Sequence, residues 1–138
     1  MSASNSQAPD AMPTIAVVNS SEDTVDMLRT LLEREGWEVV TAHVDDIKRG
    51  RTDIVQLMES RDPRVVIWDI SPPYEQNWAF LRLLRTSRVM DERTFIITTT
   101  NKPALERFVG PTDAIEIFTK PYDVDLLIES IGRLLKAA

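Results

Sequence analysis

Cysteine is absent from this chain, so it has no disulfide framework and no thiolate metal site. That absence fits a reducing, cytoplasmic setting. Histidine occurs once, at His43, with no Ser or Cys nucleophile motif beside it. His43 therefore reads as an exposed loop residue and not as a catalytic base. Glycine is scarce. With only Gly36, Gly50, Gly110 and Gly132, neither a G-x-G-x-x-G fingerprint nor a P-loop can be written. A Rossmann dehydrogenase and a P-loop NTPase are excluded on that ground. No stretch approaches the roughly 20 apolar residues that span a bilayer, so no membrane insertion is expected. Positive charge is also short: 16 Lys and Arg against 22 Asp and Glu leave a formal charge of −6. That balance argues against nucleic acid as a partner, because the densest basic spot, Lys48-Arg49-Gly50-Arg51, reads as a solvated loop.

The chain holds 138 residues, enough for one domain with a real core. Residues 1–13 are polar and small, without the basic start and apolar stretch of a signal peptide. They read as a disordered leader, with one domain over 14–138. Thr14 to Val18 forms a short apolar strand, and Asn19-Ser20-Ser21 is a turn with helix-capping candidates. Val25, Leu28, Leu31 and Leu32 then recur at helical spacing up to Gly36, a natural helix stop. Trp37 to Val40 is a second strand. Thr41 to Thr52 is polar and carries no clear period, and Ile54, Leu57 and Met58 mark a short helix.

Arg64 to Asp69 is the clearest strand, since four apolar residues in a row imply burial on both faces. Pro72-Pro73 ends it, and Trp78, Leu81 and Leu84 mark a helix reaching to about Arg88. Phe95 to Thr99 is a fourth strand, Ala104 to Phe108 a short helix, and Ala114 to Phe118 a fifth strand. The last helix carries Val124, Leu127, Ile128, Ile131, Leu134 and Leu135 as one stripe. Five alternations of strand and helix predict an α/β fold, a doubly wound parallel sheet with helices on both faces.

In such a sheet all strand C-termini share one edge, and ligands bind there. The first strand delivers Asn19 and Ser20 to that edge, the third Asp69, the fourth Thr98 to Thr100, and the fifth Lys120. A carboxylate, several hydroxyls and an ammonium are thus expected together.

Three features then resemble response-regulator receiver domains: Asp69 at a strand end with Pro73 four residues on, Thr99 at the next strand end, and Lys120-Pro121 after the last. The resemblance runs from about Thr14 to Leu135. It implies a flavodoxin-like sheet of order 2-1-3-4-5 and a role in two-component, or phosphorelay, signalling. It also implies Asp69 as phosphoacceptor, with Thr99 and Lys120 contacting the phosphoryl group. It names no catalytic residue, and no enzyme activity is expected. The partners it implies are a histidine kinase, a phosphotransfer protein or another regulator, with a homodimer through the last strand and helix.

The chain departs from that family in its acidic pair. Receivers place two acidic residues after the first strand to bind Mg²⁺. Here those positions are Asn19 and Ser20, which offer neutral oxygens alone. The implied metal set is Asp69, the Ser71 carbonyl, Asn19 and Ser20, a weak site for Mg²⁺. Glu22 and Asp23 read as first-turn residues placed by the helix dipole. The aromatic switch position of the family is Ile117, and Phe118 beside it should face the core on the other side. Thr98 and Thr100 read as strand and loop residues, and Thr41 to Thr52 as a surface insertion. Without the acidic pair, Asp69 has a second reading as a direct ion-pair partner of Lys120. The expectation is an atypical receiver acting through protein–protein contacts, with weakened or absent Mg²⁺-dependent phosphorylation at Asp69. The alternatives are a phosphorylation-competent single-domain switch and a small-molecule-binding flavodoxin-like domain.

Overall fold

The computed structural model describes residues 12–110 and 115–137, and of Ala137 the backbone only. Most of the expected leader, and Ala114 at the expected start of the fifth strand, lie outside the described residues. Among the described residues five strands are present: β1 (Thr14–Asn19), β2 (Glu38–His43), β3 (Val65–Ile70), β4 (Thr94–Thr99) and β5 (Glu116–Thr119). All pair in parallel, in the order β2-β1-β3-β4-β5, as expected. Seven helices among the described residues connect and follow them: α1 (Glu22–Arg34), α2 (Val44–Lys48), α3 (Ile54–Arg61), α4 (Tyr74–Leu84), α5 (Arg88–Asp91), α6 (Lys102–Glu106) and α7 (Val124–Ala137).

Period-2 alternation along each strand divides the core into two layers. Ala16, Val18, Val66, Trp68, Ile70, Phe95 and Ile97 face one side, against Ile47 of α2, Ile54 and Met58 of α3, Trp78 and Leu81 of α4 and Leu105 of α6. Ile15, Val17, Val65, Ile67 and Ile96 face the other, against Val25, Leu28 and Leu32 of α1 and Leu127 and Ile131 of α7. Every residue of β1 and β3 is buried, which is why the two central strands read as unbroken apolar runs. At the outer strand β5, Glu116 accepts hydrogen bonds from Ser130 (2.6 Å) and Arg133 (2.5 Å) of α7, so a carboxylate sits between strand and helix.

Helix ends follow the sequence signals. Ser21 caps α1 by accepting from the Thr24 N–H (3.3 Å), Glu22 and Asp23 occupy its first turn, and Gly36 takes φ +90° after it. Asn101 caps α6 in the same way through the Ala104 N–H (3.1 Å).

Three expectations need correction. Thr41 to Thr52, read as a surface insertion, holds regular structure: β2 continues to His43 opposite Asn19 of β1, and α2 follows with Ile47 buried. Two backbone N–H groups, of Arg51 and Thr52, then close onto the Asp46 carbonyl (2.8 and 3.2 Å). His43 is therefore a half-buried strand-end residue and not a loop residue. Finally, α4 stops at Leu84 and does not run to Arg88; α5 is a separate turn that seats Met90 in the core.

Candidate functional site

The strand C-termini meet at one edge, as parallel pairing requires. Asn19, Asp69 and Thr98 each lie two residues beyond a side chain of the α1/α7 layer, Val17, Ile67 and Ile96 respectively, so they point to the same side. Lys120 follows β5 with the parity of Phe118, which packs in that layer, and its backbone N–H donates to the Thr99 carbonyl (2.7 Å).

Asp69 is the centre of this cluster. Its side chain is 2% exposed, and the Lys120 ammonium lies 2.5 Å from Oδ1. The Thr98 hydroxyl donates to the same oxygen (2.8 Å), and the Ser71 hydroxyl donates to Oδ2 (3.0 Å). One charge-assisted contact and two hydroxyl bonds thus hold a carboxylate that burial would otherwise disfavour.

Thr98, and not Thr99, is the threonine beside Asp69. The β3–β4 register pairs Asp69 with Thr98 and Ile70 with Thr99. Thr99 is fully buried and falls on the face of Ile97 and Ile70, the opposite side of the sheet. Its hydroxyl accepts from the Asn101 N–H (3.5 Å). Thr100 is exposed and bonds the Tyr74 hydroxyl (2.8 Å). Ile117 sits half-buried in the layer that contains Ile97, away from Asp69, and offers neither ring nor hydroxyl. Phe118 packs in the other layer, edge-on to Tyr122, with ring centroids 6.2 Å apart.

Three of the four residues expected to ligate a cation have their oxygens otherwise engaged. Asn19 is buried and its Oδ1 accepts from the Ser21 N–H (2.9 Å), a turn that launches α1. The Ser71 carbonyl accepts from the Asn77 amide of α4 (2.6 Å). Both Asp69 oxygens already have donors. Ser20 is left, an exposed hydroxyl on a cleft of about 260 Å³ that it shares with Asp45, Lys48, Trp68, Asp69 and Asn77, among others. Glu22 and Asp23 stay on the α1 turn, and Asp45 pairs with Arg49 in the open (3.1 Å). Among the described residues no three His, Cys, Asp or Glu side chains converge as a metal site. A hard divalent cation prefers several free carboxylate oxygens, and these residues do not fit one.

Lys48 and Asn77 were not foreseen. The Lys48 ammonium sits 2.5 Å from Asn77 Oδ1 and 5.5 Å from the Phe80 ring centroid. The contact joins helices 29 residues apart and leaves no local trace in the sequence.

Tyr122, next to Lys120-Pro121, feels this site. Burial chiefly, and then the Asp69 charge, raise its phenol above the usual 10.0. The neutral phenol is thus favoured in the folded state. The stability this brings is complete below about 10 and is lost as pH rises from there through the raised folded value. Absorbance titration of the Tyr122 phenolate should show Asp69→Asn lowering its midpoint part of the way towards 10.0, because burial remains. An unchanged midpoint would remove Asp69 as a contributor.

No protein-family model matches the chain. Solved structures do. The chemotaxis protein CheY4 of Vibrio cholerae superposes with a TM-score of 0.69 at 21% identity, over 90% of this chain and 99% of that one. The fold is that of a receiver domain. A sensor protein from Polaromonas gives a TM-score of 0.73 at 19% identity, over 92% and 98% of the two chains. A response regulator receiver protein from Pseudomonas putida gives 0.70 at 20% identity, over 89% and 98%. At such identities the receiver architecture is shared, and the chemistry must be read from this chain's own side chains. No helix among the described residues is long and apolar enough to cross a membrane.

Proposed function

We propose that this protein is an atypical receiver module of two-component, or phosphorelay, signalling, one that works through protein–protein contacts with Mg²⁺-dependent phosphorylation at Asp69 weakened or absent. The observation that supports this reading is the state of Asp69, whose two oxygens have Lys120, Thr98 and Ser71 as donors within the chain. Phosphoryl transfer onto a carboxylate needs spreading negative charge to be neutralised, chiefly by bound metal. Asn19 and Ser20 bring no negative charge to hold such a metal, and the Asn19 and Ser71 oxygens are in use. What remains is a receiver surface with its aspartate tied down. Its partners in this reading are a histidine kinase, a phosphotransfer protein or another regulator in the cytoplasm. It serves them as a binding surface and not as an enzyme.

A second reading has an observation in its favour. Lys120 and Thr98 converge on one Asp69 oxygen, the two donors that an attached phosphoryl group would use. In that reading the protein is a phosphorylation-competent switch. A small-molecule site at the Asp69 edge has less support, since the cleft there, of about 260 Å³, lies below the ~300–1,000 Å³ usual for ligand pockets.

Intact-mass analysis separates the first two. Wild type and Asp69→Asn are incubated with acetyl phosphate and Mg²⁺, and separately with a phosphorylated histidine kinase. The expected result is no phosphoryl gain on either protein. A gain on wild type that Asp69→Asn lacks would overturn the proposal and establish the switch.

A further inference from the structure

A hydrogen-bonded path runs from α2 to the centre of the site. The Lys48 ammonium contacts Asn77 Oδ1 (2.5 Å), the Asn77 amide donates to the Ser71 carbonyl (2.6 Å), and the Ser71 hydroxyl donates to Asp69 Oδ2 (3.0 Å). Lys48, Asn77, Ser71 and Asp69 all line one cleft. Phe80 on its wall lies 5.5 Å from the ammonium, within the range of a cation–π contact. A positive charge is therefore held on the cleft that a receiver would use for a divalent cation, and its anchor covers one of the expected ligand oxygens.

We infer that Lys48 is a resident cation of this cleft: held by Asn77, its ammonium excludes divalent metal ions from the Asp69 edge. The inference rests on the proposed function and deepens it, because it assigns the missing metal chemistry to a particular side chain. Two physical effects act together. An incoming Mg²⁺ would be brought towards an ammonium on the same small cleft, and like charges at close range repel. It would also have to free the Ser71 carbonyl from Asn77, leaving an amide donor without its partner. Lys120 pairs with Asp69 and offsets part of its charge, so the compensating pull on the ion is reduced. The lost acidic pair and Lys48 are thus separate obstacles, and each can be removed independently.

Mn²⁺ alone serves as the probe, with affinity read from the electron paramagnetic resonance of the free ion. The decisive background is Asn19→Asp/Ser20→Asp, which restores carboxylates; Asp at position 19 keeps the oxygen that accepts from Ser21. Lys48→Gln in that background should bind Mn²⁺ about tenfold tighter, the scale expected for removing a unit charge close to a divalent ion. Lys102→Gln, a cation on α6 that does not line the cleft, is the control for general charge and should change affinity by less than about twofold at physiological salt. Lys48 is exposed, so its substitution should leave the fold intact, and circular dichroism checks this. An affinity unchanged by Lys48→Gln, or one equally tightened by Lys102→Gln, overturns the inference. Phosphorylation of wild-type Asp69 would instead overturn the proposed function and leave the Mn²⁺ comparison standing, so the two failures are distinguishable.

Discussion

Lys120→Met is expected to destabilise the protein by about 3 kcal/mol, and Asp69→Asn by much less. Removing one partner of a buried pair typically costs ~3–5 kcal/mol, because the other charge is left in a dry site. Asp69 is the buried partner, 2% exposed, whereas Lys120 is 29% exposed and can turn its ammonium to water. The low end of the range applies because Asp69 lines the neighbouring cleft and is not enclosed on every side. With Lys120 gone, the Thr98 and Ser71 hydroxyls still donate to Asp69, but neither carries charge. With Asp69 changed to Asn, no charge is left buried, and a loss of about 1 kcal/mol is expected from disturbed hydrogen bonds. The double variant should recover most of the Lys120→Met loss, and a double-mutant cycle from urea unfolding gives the coupling. Should Lys120→Met prove no worse than Asp69→Asn, the pair is not desolvated in the folded protein.

Trp68→Ala should cost about 3–5 kcal/mol, the range for deleting a large buried aromatic side chain. Trp68 is 1% exposed, lies in the middle of β3, and stands in register between Val18 of β1 and Ile97 of β4. All three side chains belong to one core layer, so the deletion opens a cavity at the centre of the sheet rather than at its margin. Backbone pairing on both sides prevents the strand from collapsing into the gap. Against a total stability of ~5–15 kcal/mol for a typical domain, the variant stands near the edge of folding. Leu83→Ala is the matched comparison: Leu83 is 67% exposed on α4 and should change stability by no more than about 0.5 kcal/mol. Equal effects from the two substitutions would contradict the burial described here.

The fold was legible because its signals are local and repeated. An unbroken apolar run shows β3 to be buried on both faces, and Gly36 and the Ser21 cap mark the ends of α1. The meeting of Asp69 with Lys120 was legible too, since parallel strands must end along one edge. The choice among Thr98, Thr99 and Thr100 was not. Three identical side chains in a row give no clue to parity, and only the β3–β4 register, a relation between distant segments, decides which one faces Asp69. The Lys48–Asn77 contact was hidden for the same reason. Where the expected second strand runs into the Thr41–Thr52 stretch, Val40 and Ala42 are buried in alternation while Thr41 and His43 are half-buried, a pattern too short to separate strand from loop.

The carboxylate between β5 and α7 also bears on how copies of this protein can meet. A sheet that ends in a long, flat, apolar strand invites another strand to continue it, the usual start of edge-to-edge aggregation. Here the final strand is four residues long and carries Glu116, fastened to Ser130 and Arg133. A short outer strand with a tethered charge is a poor template for growth. The sheet is capped on that side, so a backbone ladder running from one molecule into the next is disfavoured at β5.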